Sequence, residues 1–202
     1  MSKSFRKKNR FRYILFYKPY GVLSQFTSET GQRSLKEFGP FPPDVYPVGR
    51  LDADSEGLLL LTDDDTTKHR LTDPKYGHPR TYLALVENKP NEEDLEKIRN
   101  GIVVSGKRTM PAEVTLLLNE PSLPTRSAPI RYRKNILTFW IELTLHEGKN
   151  RQVRRMTAAI GHPTLRLVRT KISFLGLDGL KSGEHRELTD EEIHHLRILV
   201  SG

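Results

Sequence analysis

Seven consecutive residues hold much of the chemistry this chain could perform. Arg50, Asp52, Asp54, Ser55 and Glu56 stand together, bracketed by Gly49 and Gly57. A turn this charged costs folding free energy unless its charges are solvated or paired, so it has to be weighed as a site. Three readings fit the residue types. A carboxylate held beside arginines can act as a nucleophile toward an electrophilic carbon. The same Arg and Asp can simply pair and tie the turn together, and spacing alone favours this simpler reading. Asp52, Asp54 and Asp63 could also hold Mg²⁺ in a nuclease.

A second charged group comprises Lys149, Arg151, Arg154 and Arg155. It crowds the first turns of a helix expected between Asn150, as N-cap, and Gly161, with Pro163 preventing resumption. Val153, Met156 and Ile160 give that helix an apolar stripe. Positive charge at a helix N-terminus opposes the macrodipole, so a carboxylate or a phosphate is expected to compensate. Other chemistries lack their residues. There is no cysteine, no Gly-rich loop ending in Lys-Ser/Thr, no Gly-x-Gly-x-x-Gly, no His-Glu-x-x-His and no nucleophile-elbow serine. No cofactor and no metal are expected.

The elements that must position these residues follow from the apolar pattern. Leu58 to Leu61 reads as a buried strand behind the charged turn. Tyr13 to Tyr17 and Val22 to Phe26, joined by Lys18-Pro19-Tyr20-Gly21, read as a hairpin. A helical turn is expected around Leu35 to Phe38. Asp63, Asp64 and Asp65 open a short helix running to Leu71, where acids suit the dipole and explain the run better than a metal site. Arg80 to Glu87 is a strand with Tyr82, Ala84 and Val86 on one face. Asn91 to Asn100 is a helix, and Ile102 to Val104 and Ala112 to Leu118 are strand candidates. Leu137 to Leu145 places five apolar residues at period two, the clearest strand of all. Thr164 to Val168 is a strand from which Arg166 and Arg169 project, and Lys171 to Phe174 and Leu177 to Leu180 are short strands or turns. Thr189 caps a last helix, with Glu192 at N3 and Ile193, Leu196 and Val200 inward. Hairpins outnumber βαβ units, which argues α+β with a mixed, mostly antiparallel sheet flanked by helices and loops.

The net charge is +8 and the pI about 9.7. The positive charge is clustered, which suits a polyanion partner. Residues 1–11 form a basic N-terminal tail with interleaved Phe, suited to lie along nucleic acid. No apolar run approaches the roughly 20 residues a bilayer span needs, and the tail lacks the apolar stretch of a signal peptide. A cytoplasmic protein without a membrane partner is expected.

Ordered motifs then add a family. Gly49-Arg50-Leu51-Asp52, with Ser55, Gly57 and Leu58-Leu59-Leu60-Leu61-Thr62, resembles the signature of the RsuA/RluA pseudouridine synthases. Glu147-Gly148-Lys149-Asn150-Arg151-Gln152-Val153-Arg154-Arg155-Met156 resembles the RsuA branch, as does the stretch from Leu167-Val168-Arg169 to Arg186-Glu187-Leu188-Thr189. Lys18-Pro19-Tyr20-Gly21-Val22 resembles the opening Lys-Pro-x-Gly turn. These matches run in the family's order from about residue 12 to 199.

The resemblance implies a pseudouridine synthase fold over residues 12–202, with a catalytic cleft across the sheet and no S4-type RNA-binding domain. It implies that a uridine in RNA is detached from its ribose, turned and rejoined through C5. Asp52 matches the nucleophilic aspartate, and Tyr82 the tyrosine that packs on the target base. Lys149 or Arg154 matches the basic partner of the aspartate, Lys149 being favoured by its place after Gly148. Leu167 matches an apolar residue beside the ring. Arg50, Arg151, Arg154, Arg155 and Arg169 are expected to meet RNA, because a flipped nucleotide needs its backbone held and its vacated space filled. Lack of an S4 domain points to members acting on large-subunit (23S) ribosomal RNA. A monomer with no obligate protein partner is expected. A non-catalytic rRNA-binding protein of the same fold is the competing reading, since it has no need of Asp52.

Overall fold

The computed structural model describes residues 11–28, 31–126, 128–130, 136–177 and 179–202. The basic tail expected over residues 1–11 lies outside these apart from Phe11. In chain order the elements are β1 (Tyr13–Lys18), β2 (Tyr46–Pro47), β3 (Glu56–Thr62), α1 (Asp65–Thr72), β4 (Arg80–Glu87), α2 (Glu92–Arg99), β5 (Val103–Val104), β6 (Lys107–Arg108), β7 (Glu113–Leu116), β8 (Thr138–Leu145), α3 (Gln152–Ala159), β9 (Thr164–Ile172), β10 (Leu175–Gly176), β11 (His185–Glu187) and α4 (Asp190–Ser201). The main sheet runs β11-β1-β3-β9-β4-β8-β7, with β2 added to β3 and β10 to β9. Among the named strands only the β3–β9 pair is parallel. The α+β class with a mixed, mostly antiparallel sheet is therefore the architecture observed.

Two apolar cores lie on either side of the β3–β9 joint. In one, α4 sets Ile193, Leu196 and Val200 against Leu58, Leu60 and Leu71. In the other, α2 and α3 set Leu95, Ile98, Val153 and Met156 against Ala84, Ile141 and Leu143. Leu58 to Leu61 are all fully buried, so β3 packs on both faces, which accounts for its unbroken apolar run. Each such leucine contributes about 1.5–3 kcal/mol relative to exposure. Asp64 caps α1 by accepting from the Thr66 and Thr67 amides, and Thr189 with Glu192 closes a capping box on α4.

Several expectations need correction. Residues 22–26 form no strand against β1; instead β1 pairs with β3 from Tyr13↔Thr62 to Lys18↔Gly57, and with β11 on its other edge. The three-residue β11 is too short to show a period in sequence. Asn150 is not the cap of α3. Arg151 takes that place in a left-handed conformation, φ +51°, and Asn150 accepts a hydrogen bond from Arg155 instead. The strand expected over 164–168 continues to Ile172, because antiparallel pairing with β4 carries it past its apolar run.

Candidate active site

The parallel pair β3–β9 is joined at only two positions, Glu56↔Val168 and Gly57↔Arg169. Gly57 makes the joint possible. Its φ is +108°, and a Cβ there would stand 2.2 Å from the Arg169 carbonyl oxygen, so no other residue fits. The charged turn therefore ends where the two strands meet, at the mouth of a cleft of about 500 Å³. Asp52, Tyr82, Leu167, Arg50, Lys149 and Arg151 all line it.

Backbone hydrogen bonds hold the turn on both sides of Asp52. Leu51 exchanges two with the Ser24 hydroxyl, at 3.0 and 2.8 Å. The Gly21 amide donates to the Ala53 carbonyl at 2.7 Å, and the Ser55 amide to the Asp52 carbonyl at 3.0 Å. The Asp52 side chain itself is left open. Among the described residues its carboxylate accepts no hydrogen bond, and its nearest cation is Arg151, 3.5 Å from Oδ2.

Asp54 takes the cations that Asp52 does not. Arg151 donates to both its oxygens, at 2.9 and 2.8 Å. Arg154 Nη2 donates to the Asp54 carbonyl at 2.7 Å, and Nη1 to the Thr164 carbonyl at 3.0 Å. Burial alone would raise the Asp54 carboxyl, but the Arg151 hydrogen bonds and the Arg154 charge outweigh it and hold the group below the usual carboxylate range. This carboxylate supplies the compensating charge that the basic start of α3 demanded.

Lys149 does not pair with Asp52. Its ammonium lies 2.8 Å from Glu147 and donates to the Arg108 carbonyl. Glu147 is fixed in turn by the Met110 amide and Gln152. Arg154, the other expected partner, is spent on Asp54, so the cation that reaches the Asp52 carboxylate is Arg151. Arg155 is exposed, and Arg50 is exposed at the cleft rim. Arg169, expected to project toward RNA, is 3% exposed and donates to the Leu58 carbonyl at 2.8 Å, which ties β9 to β3. The metal reading fails on geometry: Asp54 is committed to arginine, and Asp63 accepts the Arg12 amide beyond the other end of β3. At about 3.3 Å per residue that strand keeps Asp63 roughly 20 Å away.

Behind the turn lies a buried charged cluster, and Arg166, expected to project from β9, is turned into it. Arg166 makes a bidentate pair with Glu56, at 2.9 and 2.8 Å, and donates to the Pro124 carbonyl at 2.8 Å. Lys18 is fully buried and donates to the Pro19 and Val22 carbonyls at 3.0 and 2.7 Å. Burial pushes its ammonium down to about 7, against the opposing charges of Glu56, Asp54 and Asp52. The only available signal for Lys18 was its place in the Lys-Pro-Tyr-Gly turn.

Similarities to known proteins concern the family and the fold. A family model described as RNA pseudouridylate synthase matches residues 12–159. A ribosomal large subunit pseudouridine synthase E of Xanthomonas axonopodis pv. citri is 53% identical over 169 residues, covering 83% of this chain and 88% of that protein. Its namesake in Vibrio parahaemolyticus is 46% identical over 88% of this chain and 74% of its own. A solved structure titled as a pseudouridylate synthase superimposes with a TM-score of 0.76 at 32% identity, covering 93% of this chain and 74% of that one. No helix among the described residues is long and apolar enough to cross a membrane.

Proposed function

The chain belongs to the RNA pseudouridylate synthase family, and we propose that within it the protein isomerises a uridine of 23S ribosomal RNA to pseudouridine. The observation that carries this reading is the division of labour between two aspartates two residues apart. Asp54 accepts both guanidinium hydrogen bonds, while the Asp52 carboxylate accepts none among the described residues and faces the cleft. A protein that only bound RNA would have no use for that arrangement.

In the reaction the N1–C1′ bond of uridine breaks, the uracil turns, and a C5–C1′ bond forms. The C5 proton leaves, a proton is gained at N1, and no net oxidation occurs. Asp52 supplies the carboxylate that attacks the nucleoside. A uridine stacked in a helix cannot reach it, so the nucleotide is flipped into the cleft. Tyr82, half-buried on β4, stacks on the base, with Leu167 packed beside the ring. Such stacking contributes about 1–3 kcal/mol per base. Arg151 stands next to the nucleophile and steadies negative charge there. Arg50 and Arg155 meet backbone phosphates at the rim. The protein works as a cytoplasmic monomer with the RNA as its macromolecular partner.

The test is release of tritium from 23S transcripts labelled at uridine C5. Wild type should release label, and Asp52→Asn should abolish release while RNA affinity stays within about threefold. Full release by Asp52→Asn would overturn the assignment of the nucleophile. No release by wild type would overturn the substrate.

A further inference from the structure

The connection between α1 and β4 carries a basic and aromatic cluster that the catalytic reading leaves unused. Tyr76 is its hub. The Arg70 guanidinium lies 4.8 Å from the ring centroid and Lys75 Nζ 4.7 Å. His69 meets the ring edge-on at 6.5 Å, and His78 stacks against it at 6.2 Å. One acid stands among them. Asp73 accepts the Lys75 amide, and its carboxylate lies 3.5 Å from Lys75 Nζ and 3.9 Å from His69 Nε2. Arg70 makes no ion pair among the described residues. Cation–π contact holds these side chains in place before any ligand arrives, which reduces the entropy lost on binding.

His78 adds an independent observation. It is 9% exposed, and its Nε2 has no hydrogen-bond partner among the described residues. Leaving such a group unmade costs about 1–3 kcal/mol. Burial, then the charge of Arg80, push its imidazole down, so a neutral ring backs Tyr76 from the inside and leaves the outer face of the cluster to its cations.

The cluster also adjoins the cleft. His146 Nδ1 is 2.9 Å from the Gly77 carbonyl oxygen. The Arg80 guanidinium passes 3.4 Å from where a Cβ on Gly148 would stand. Gly148 and Lys149 line the cleft, so the segment 146–149 has the catalytic site on one side and the Tyr76 turn on the other.

We propose that this turn, with Arg70, Lys75 and Tyr76, is a second RNA contact surface that grips the strand flanking the target uridine. Arg70 and Lys75 meet backbone phosphates, and the Tyr76 ring holds both cations in place. The identity of the partner rests on the RNA isomerase reading given above. Its contribution is to affinity and register, because no group of the cluster enters the cleft.

The test uses the full chain and 23S transcripts. Arg70→Ala/Lys75→Ala should raise KM about 5- to 20-fold with kcat within twofold. It should also lower the slope of log affinity against log salt by about 1.4, since each phosphate contact on a single strand carries about 0.7. Tyr76→Phe should behave as wild type, and Tyr76→Leu should follow the double variant. Lys89→Ala, which removes one exposed charge beyond the far end of β4, is the control. An unchanged KM and slope in the double variant, or an equal loss in Lys89→Ala, would overturn the proposal. The two readings fail separately. A wild type that releases no tritium refutes the isomerase assignment. The salt slopes of wild type and double variant still decide whether the turn holds RNA.

Discussion

Lys18 offers a prediction whose size follows from its burial. Its ammonium ordinarily titrates at 10.5 and is pushed to about 7 in the folded protein. Between those values the unfolded chain binds one proton more than the native state. Stability therefore rises with pH across this window and is flat below it. The whole difference is worth about 5 kcal/mol, at 1.36 kcal/mol per pH unit. Lys18→Met keeps much of the volume and removes the titration, and groups common to both proteins cancel in the comparison. Wild type should therefore gain about 2 kcal/mol on the variant between pH 7 and pH 9. Urea denaturation of both proteins at half-unit intervals measures the gain. The absolute offset at pH 7 mixes the relieved desolvation with two lost hydrogen bonds to Pro19 and Val22, so the slope is the informative quantity. A difference constant to within about 0.5 kcal/mol over that range, well under the linkage value, would refute the buried, neutral Lys18.

Other outcomes follow from the same geometry. Asp54→Asn should lower kcat about 10- to 100-fold in the tritium assay, because Arg151 then swings onto Asp52; it should also cost about 1–3 kcal/mol of stability, from the loss of charge-assisted bonds, measured by thermal melting. Unchanged kcat would show that Asp54 does not steer Arg151. Gly57→Ala should cost more than about 3 kcal/mol or abolish soluble folded protein, since its Cβ would overlap the Arg169 backbone at 2.2 Å; a melting temperature within about 2 °C of wild type, under about 1 kcal/mol for a chain this long, would rule the clash out. Tyr82→Phe and Tyr82→Leu separate the roles of ring and hydroxyl: activity retained in Phe and lost in Leu assigns stacking alone, and loss in both assigns work to the hydroxyl.

Much of the framework was legible from the residues. Period-two alternation marked β8, and the apolar run marked β3, because burial selects side chains by local geometry. The acids at its start marked α1 and the Thr189 cap marked α4, and in the fold Asp64, Asn91 and Thr189 each satisfy amides two or three residues on. The mismatch between the α3 dipole and its arginines announced a missing anion, and Asp54 proved to be that anion. Where local pattern was silent or misleading, the fault was physical. The 13–26 hairpin was wrong because β1 finds a longer partner in β3, and β11 takes its other edge. The cap of α3 was wrong because Arg151 adopts a left-handed backbone that no hydrogen-bonding signature requires.

The residue types and order alone thus determined the fold class and the family, and they singled out Asp52 as the nucleophile proposed here. Each depends on neighbours in the chain or on a motif read in order. Which cation faces Asp52 was decided only by the tertiary structure. Arg151 and Asp54 are 97 positions apart in sequence, and their pairing exists because β3 and β9 meet at Gly57. The strands' meeting point sets which charges share low-dielectric space. Lys149 therefore goes to Glu147, Arg169 is turned inward to Leu58, and Asp52 keeps the open face of the cleft.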